Sequence, residues 1–494
     1  MVDPRTPVLI GAGQFSNRVD QGAEAVEPAE LIAEALRRAA EDTGVGMAAV
    51  TGADTVHAVR LISWRYRDVA RLVAEKLGAS PRDTSASTMS GNSPQTLVNQ
   101  SCLAIQAGEA DLVLVGGAEA WRTATAFRGR GEQPDWTVQG DDVPEARASM
   151  RDYPMSAPAE QARGIVMPVQ MYPLFEQAFR LRVGRSIAEH TVAVSELWSR
   201  FSEVAATNPH AWIQQAYTPE EIRTPSPDNR MIGLPYTKRM NSNNAVEQGA
   251  AFILCSAERA EALGVPRDRW VFPHCGTDAH DHIFVSERDE LGASPAMRLA
   301  GRAALELAGV GVDELGPIDL YSCFPSAVEI AAHEIGIDIT RPLTVTGGLS
   351  FAGGPWNNYV SHSIATMSAR LREDPGAIGL VSGNGGYITK HAFGIYSTEP
   401  PADGFRHRDL QAEVDALPSR TACEDPDGPA SVESWTVMHD RDGNPETGLL
   451  AALLPDGRRA WGSTQEPTVV QAMATEELAG RKATLRPDGT FDLA

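Results

Sequence analysis

The chain has 494 residues, 42% of them hydrophobic, a net charge of −22 at pH 7 and five cysteines. That length suits about three domains, and that charge argues against nucleic acid or an anionic membrane as partner while leaving room for a local basic pocket. Cys102, Cys255, Cys275, Cys323 and Cys423 form no C-x-x-C pair, the start MVDPRTPVLIGAG has no signal-peptide pattern, and no run approaches the ~20 apolar residues of a spanning helix, so a reduced, cytoplasmic protein without a zinc ribbon is expected.

In chain order, PVLIGAG at 7–13 predicts a strand ending in a glycine turn, and 28–43 an amphipathic helix closed by Gly44. A second strand follows at 54–59 and a second helix at 66–78. Residues 84–90 lead into the stretch around which the chain is organised, TMSGNSPQTLVNQSCLAIQAGEADLVLVGGAEA at 88–120. Gly91, Asn92 and Pro94 mark a turn; Leu97, Val98, Cys102 and Ile105 recur at helical spacing over 95–106, and Gly108 closes the helix. Leu112 to Val115 then make a strand buried on both faces, ended by Gly116 and Gly117. A helix that starts in such a turn points unpaired N–H groups at its neighbour and attracts an anion, a carbonyl oxygen or a thiolate.

The pattern repeats. WVFPHCG at 270–276 resembles the first strand, AMRLAGRAALELAGVG at 296–311 the first helix, and IDLYSCF at 318–324 the second strand; SAVEIAAHEIGI, the turn and helix at 346–367, and AIGLVSGNGGY at 377–387 follow in register, at an offset of about 265 residues. A duplicated β-α-β-α-β-α-β unit pairs its sheets around shared central helices in an α/β/α/β/α body. Gly91 and Gly354 then become counterparts, each opening a central helix, with both N-termini converging on one site. The expected domains are residues 1–120 (first half), 121–245 (an inserted loop or lid domain), 246–269 (return strand and helix), 270–400 (second half) and 405–494. TEPPADG at 398–404 and EDPDGPA at 424–430 resemble linkers, and turns such as DRDG, LPDG and RPDG predict a small antiparallel β-barrel at the C-terminus.

The duplicated halves, IQAGEADLVLVGGAEA, NSNNAVEQGAAFILCSAERAEALGV, CFPSAVE and GGLSFAGGP together resemble the thiolase superfamily over roughly residues 1–400. Within it the sterol-carrier-protein type is nearest, and the C-terminal barrel, similar to OB-type domains, points to the thiolase-like protein type 1 subgroup. The resemblance implies the five-layered α/β thiolase fold and an acyl-CoA ligand. It also implies positions for the reactive groups, and this sequence departs at each of them. Gly91 stands where the acyl-carrying cysteine belongs, and Gly354 replaces the histidine of Gly-His-Pro. Tyr321 and Ser322 replace the first residues of His-Asp-Cys-Phe, and the second cysteine's place falls on Val381 or Ser382. A glycine forms no acyl-enzyme, so the thiolase reaction is expected to be lost.

Candidate pocket residues are Ser90, Ser93, Tyr321 and Asn244; Ser90 and Ser93 also fit plain helix capping. Lys238, Arg239 and Arg182, with Arg180, Arg185 and Tyr236 nearby in the sequence, are candidates for holding coenzyme A. His391 suits a strand histidine satisfied by the backbone, and HCGTDAHDH at 274–282 fits no standard zinc spacing, so no metal and no resident cofactor are expected. Three functions remain open: a noncovalent acyl-CoA-binding protein, a retro-aldol acyl-CoA lyase with Tyr321 as base, and a non-enzymatic docking protein that works through its barrel. The segment RDTSASTMS, where thiolases pair, is polar, which favours a monomer over a homodimer.

Overall fold

The structure, a computed structural model, describes residues 2–494. Two sheets with one strand order carry the duplication. In the first, Pro7–Ser16, Glu247–Ser256, Leu112–Ala120 and Thr55–Ala58 lie side by side, followed by Asp83–Ala86 and Arg147–Ala148. In the second, Phe272–His280, Lys390–Ser397, Ile378–Gly385 and Ile318–Asp319 repeat that order. The sense repeats as well: two antiparallel pairings, then a parallel one. In the second half a tight turn over 386–389 joins the two middle strands. In the first half the same step takes all of 121–246, so the loop region is an insertion into that hairpin.

The helices explain the layering. Pro28–Asp42 buries Leu31, Ile32, Leu36 and a row of alanines against the outer face of the first sheet, and Pro295–Ala308 covers the second sheet in the same way. Between the sheets lie two central helices, Ser93–Gln106 and Tyr359–Glu373, each buried on nearly every side over its first turns. A five-layered mixed α/β body results.

The glycines expected to end strands lie inside them. Pro7–Ser16 runs through Gly11 and Gly13, Leu112–Ala120 through Gly116 and Gly117, and Phe272–His280 through Gly276. Each is small because something presses against it. A Cβ on Gly13 would overlap the carbonyl of Ala35 and lie 2.5 Å from the amide of Ala39, on the covering helix. Gly117 leaves room for the carboxamide of Asn358, Gly276 for that of Asn99 and Gly394 for that of Gln95, so polar side chains of both central helices reach into the sheets. The expected strand at 318–324 shortens to Ile318–Asp319, because the Leu320 amide donates to Leu343 O and the Tyr321 amide to Ser382 Oγ.

The C-terminal sheet follows the path Ala422–Cys423, Arg459–Thr464, Pro445–Leu453, Gly428–His439, Lys482–Leu485, Phe491–Leu493. Only its first pairing is parallel, and among the described residues no ladder joins the two ends, so closure of the sheet into the expected OB-like barrel is not seen in its strand pairing. Met231–Gly233 from the loop region pairs onto it. Two expected boundaries shift: Arg406–Asp409 pairs with Phe272–His280 as a fifth strand of the second sheet, and the supposed linker at 424–430 already enters the strand Gly428–His439.

Candidate functional site

A cavity of about 170 Å³ opens where the two central helices begin and the loop region folds over them. Ser90 and Gly91 precede the first helix, Trp356 and Asn357 the second, and all four line it. The end of Ile378–Gly385 adds Asn384 and Gly385, the turn after Ile318–Asp319 adds Tyr321 and Cys323, and the loop before the return strand adds Asn241 and Asn244. Met89, Met155 and Met167 stand at its rim. A larger cleft of about 410 Å³, beside His57, Arg82 and Arg147, lies beneath the sheet edge and touches neither helix start.

At the centre stand Gly91 and Tyr321. A Cβ added to Gly91 would overlap the Tyr321 hydroxyl and the Asn384 carbonyl and lie 2.9 Å from the ring carbon bearing that hydroxyl. The phenol therefore fills the space in which a side chain at 91 would begin. Its ring packs edge-on against Tyr359 at 5.5 Å, and its hydroxyl has no hydrogen-bond partner among the described residues. The N–H groups of Gly91 and Asn92 likewise meet no acceptor among the described residues, as expected at the positive end of a helix.

The wall is electrically neutral. Among the described residues it carries no carboxylate, imidazole, ammonium or guanidinium group. Its titratable groups are held in their neutral forms: burial, then Cys323 and Tyr359, push Tyr321 well above the ordinary phenol value; burial lifts Tyr172 likewise and pushes the Cys323 thiol up to about 12. A thiol so raised is no resting nucleophile. Tyr172 ties the far wall together, donating to Gly386 O at 3.0 Å and accepting from the Ile388 amide at 3.2 Å and from Asn384 Nδ2 at 3.1 Å.

Residues 409–490 match the model of the thiolase-like protein type 1 additional C-terminal domain. Over the whole of both chains the protein is 34% identical, at a TM-score of 0.85, to a monomeric SCP2-thiolase like protein type 1 from Mycobacterium smegmatis. The chain belongs to the thiolase-like protein type 1 family. More distant likenesses, which concern the fold alone, are to the Ltp2-ChsH2(DUF35) aldolase and to the dimeric peroxisomal thiolase of Saccharomyces cerevisiae. The aldolase is 20% identical at a TM-score of 0.60, over 80% of this chain and 98% of that one. The thiolase is 15% identical at a TM-score of 0.55, over 81% and 99%.

In this thiolase-like protein type 1 the structure brings Ser90, Gly91, Tyr321 and Asn244 to one cavity and leaves the other expected site residues outside it. Ser93 is buried behind the turn, its Oγ 3.4 Å from Thr88 O. Gly354 does not open a helix: the second central helix begins at Tyr359, and Gly354 packs against Asn244 just behind the wall. Val381 is enclosed in its strand, and the Ser382 hydroxyl is taken by the Tyr321 amide at 2.9 Å; the wall there is Asn384 and Gly385 instead. Arg182 is held by Glu334 at 3.0 Å, away from the cavity. Arg239 donates to Glu221 O at 2.7 Å and lies over the Tyr217 ring. Lys238 is exposed and makes no ion pair among the described residues. His391 faces Ser294 and Asp281, each at 3.4 Å, rather than backbone.

Sequence reasoning did not assign Trp356, Asn384, Tyr172 or Cys323 to the site: Tyr172 lies in the helix Pro168–Arg182, Asn384 near the end of the strand Ile378–Gly385, and Trp356 and Cys323 in turns, and no local pattern marks any of them as cavity-lining. It also missed a buried group, Glu176, His190 and Glu329, on three different helices. The imidazole and the Tyr236 hydroxyl both hydrogen-bond Glu176, and Arg185 holds Glu329 at 3.1 Å. Burial raises both carboxyl groups, Glu329 the more strongly because Glu176 is its neighbour. The histidines at 274–282 scatter instead: His274 bonds Glu399 O, and His280 bonds Asp281 O.

Proposed function

We propose that the cavity binds an acyl-CoA-like thioester without covalent attachment, and that thiolytic chemistry is lost. One observation carries this reading: the Tyr321 hydroxyl fills the space of a side chain at Gly91. The neutral wall supports it, since a thioester carbonyl is an uncharged acceptor and the wall offers uncharged donors. Lys238, three residues ahead of the cavity-lining Asn241, is an exposed cation without an ion pair among the described residues and suits the phosphates of coenzyme A. The test combines acetoacetyl-CoA with coenzyme A and follows thiolysis, with calorimetric binding and intact mass alongside. Expected are saturable binding, no thiolysis above the blank and no acyl adduct. Turnover, or an adduct on any side chain, rejects the reading.

The free hydroxyl of Tyr321 favours a second reading, retro-aldol cleavage of a 3-hydroxyacyl thioester. Burial works against Tyr321 as the base, because a phenol held above its ordinary pKa stays protonated and offers no phenolate to take up a proton. Its better role in such a reaction is to hydrogen-bond the developing enolate. Cleavage of 3-hydroxyacyl-CoA that proceeds at full rate in Tyr321→Phe removes the residue from that chemistry.

For the assembly we propose a monomer. The strand Asp83–Ala86, whose free edge would accept a second copy, is already paired with the chain's own Arg147–Ala148. Sedimentation at increasing concentration is expected to give one species near 52.9 kDa, and a species of twice that mass rejects the monomer.

A further inference from the structure

Among the described residues Trp356 is one of two non-glycine residues with positive φ, at 47°. A bulky side chain adopts that left-handed backbone only where its surroundings impose it, and such strain gathers at functional sites. Here the imposing contacts are visible. The Trp356 amide donates to Gly354 O at 2.7 Å, and the ring packs against Trp121 with centroids 4.9 Å apart. Trp356 lines the cavity immediately before the second central helix, as Gly91 does before the first.

Its indole N–H is shielded from solvent and has no acceptor among the described residues. An indole nitrogen only donates, so the missing partner is an oxygen acceptor. Two other orphans share the wall with the opposite polarity, the amide oxygens Asn241 Oδ1 and Asn384 Oδ1. All three residues line the cavity, yet each orphaned atom is covered, so a ligand oxygen reaches the indole N–H only when the wall shifts on binding; the packing of the chain itself satisfies none of the three.

We propose that the Trp356 indole donates a hydrogen bond to the thioester carbonyl oxygen of the bound ligand. This assignment rests on the thioester reading above. It gives the protein a substitute for the imidazole absent at Gly354, supplied two residues later by a donor that stays neutral at every working pH. A group of that kind recognises a carbonyl without activating a nucleophile.

The experiment compares butyryl-CoA with S-butyl-CoA, its thioether, in which the carbonyl is a methylene. The wild-type chain is expected to bind the thioester about tenfold more tightly than the thioether, with a change in tryptophan fluorescence. Trp356→Phe, checked by thermal melting, is expected to bind both compounds alike and at the wild-type affinity for the thioether. If that variant does not fold, replacing the indole at 356 by the isosteric benzothiophene, which lacks only the N–H, gives the same comparison. A thioester preference that survives loss of the N–H overturns the assignment, as does a wild-type chain that binds both compounds equally. A wild-type chain that binds neither overturns the cavity reading itself, and the assignment with it.

Discussion

Gly91 and Tyr321 act as a pair. They are separated by most of two domains, yet the absence of a side chain at one admits the hydroxyl of the other. Gly91→Ala is therefore expected to destabilise the fold by ~1–3 kcal/mol through overpacking, measured by denaturant unfolding. Adding Tyr321→Phe should restore only part of this, because the ring carbon and the Asn384 carbonyl still crowd the new methyl. Tyr321→Phe alone should leave the melting temperature nearly unchanged, since that hydroxyl has no partner to lose. The sequence shows a glycine and a tyrosine at departing positions. That one departure accommodates the other depends on a contact between distant residues, which no local pattern encodes.

Glu119 makes a second prediction at this scale. Its buried carboxyl accepts the amides of Ile62 and Ser63, both at 2.8 Å, and so pins the loop that brings Ile62 to the cavity wall. Burial nevertheless lifts it from 4.5 to about 7. Between those values the folded chain holds a proton that the unfolded chain has released. Its stabilising share is full below 4.5 and is lost as the pH rises through about 7. Urea unfolding between about pH 5 and about pH 8 should therefore show stability falling more steeply in the native chain than in Glu119→Gln, by up to ~1.4 kcal/mol per pH unit.

Among the elements, alternation and helical spacing revealed the duplicated order of strands and helices, because each half repeats its apolar pattern and its closing glycines. Strand ends were not legible in the same way. A glycine that ends a strand and a glycine that lets a carboxamide approach are the same letter, and only the partner across the layer tells them apart. Gly117 shows the difference. Asn358 donates to its carbonyl at 2.6 Å and accepts from Ser361 at 2.7 Å, fixing the start of the second central helix against the first sheet. Gly117→Ala is expected to cost ~1–3 kcal/mol. The double variant with Asn358→Ala should lose less than the sum of the singles, because it removes the carboxamide's part of the clash, leaving Val59 Cβ at 2.7 Å, while forfeiting the hydrogen bonds. Additive losses would show that the close approach is not what requires the glycine. The start of that helix was misplaced for a related reason: Gly354 marks a turn, but the chain needs a further short turn through Trp356–Asn358 before the helix can begin.

At the scale of the whole molecule, the C-terminal sheet is joined to the body rather than appended to it. Composition marked the shift after Ser397, but it could not show which body residues the new segment would hold. Arg459 is fully buried, forms a bidentate pair with Glu433 and donates to the carbonyls of Val285, Ser286 and Asp289. Trp461 donates to Ser286 Oγ at 2.9 Å, and Ser286 in turn holds Glu160 of the loop region. Two residues after Ser286 in the clamped loop, Arg288 reaches Thr389 Oγ1 at 2.8 Å, and the Thr389 amide donates to the carbonyl of the cavity-lining Gly385. A cut at 405 would remove a strand of the second sheet along with these contacts, so it cannot isolate a docking role for the segment. A single substitution is the cleaner probe. Arg459→Met is expected to destabilise the whole protein by ~3–5 kcal/mol, because it leaves Glu433 and the loop carbonyls without their partner. Unfolding followed by the fluorescence of Trp435 and Trp461 should coincide with unfolding followed by far-ultraviolet circular dichroism, in the variant as in the native chain. Two separated transitions, with the body unfolding at its native midpoint, would mean that the C-terminal sheet folds as an independent unit and does not brace the cavity.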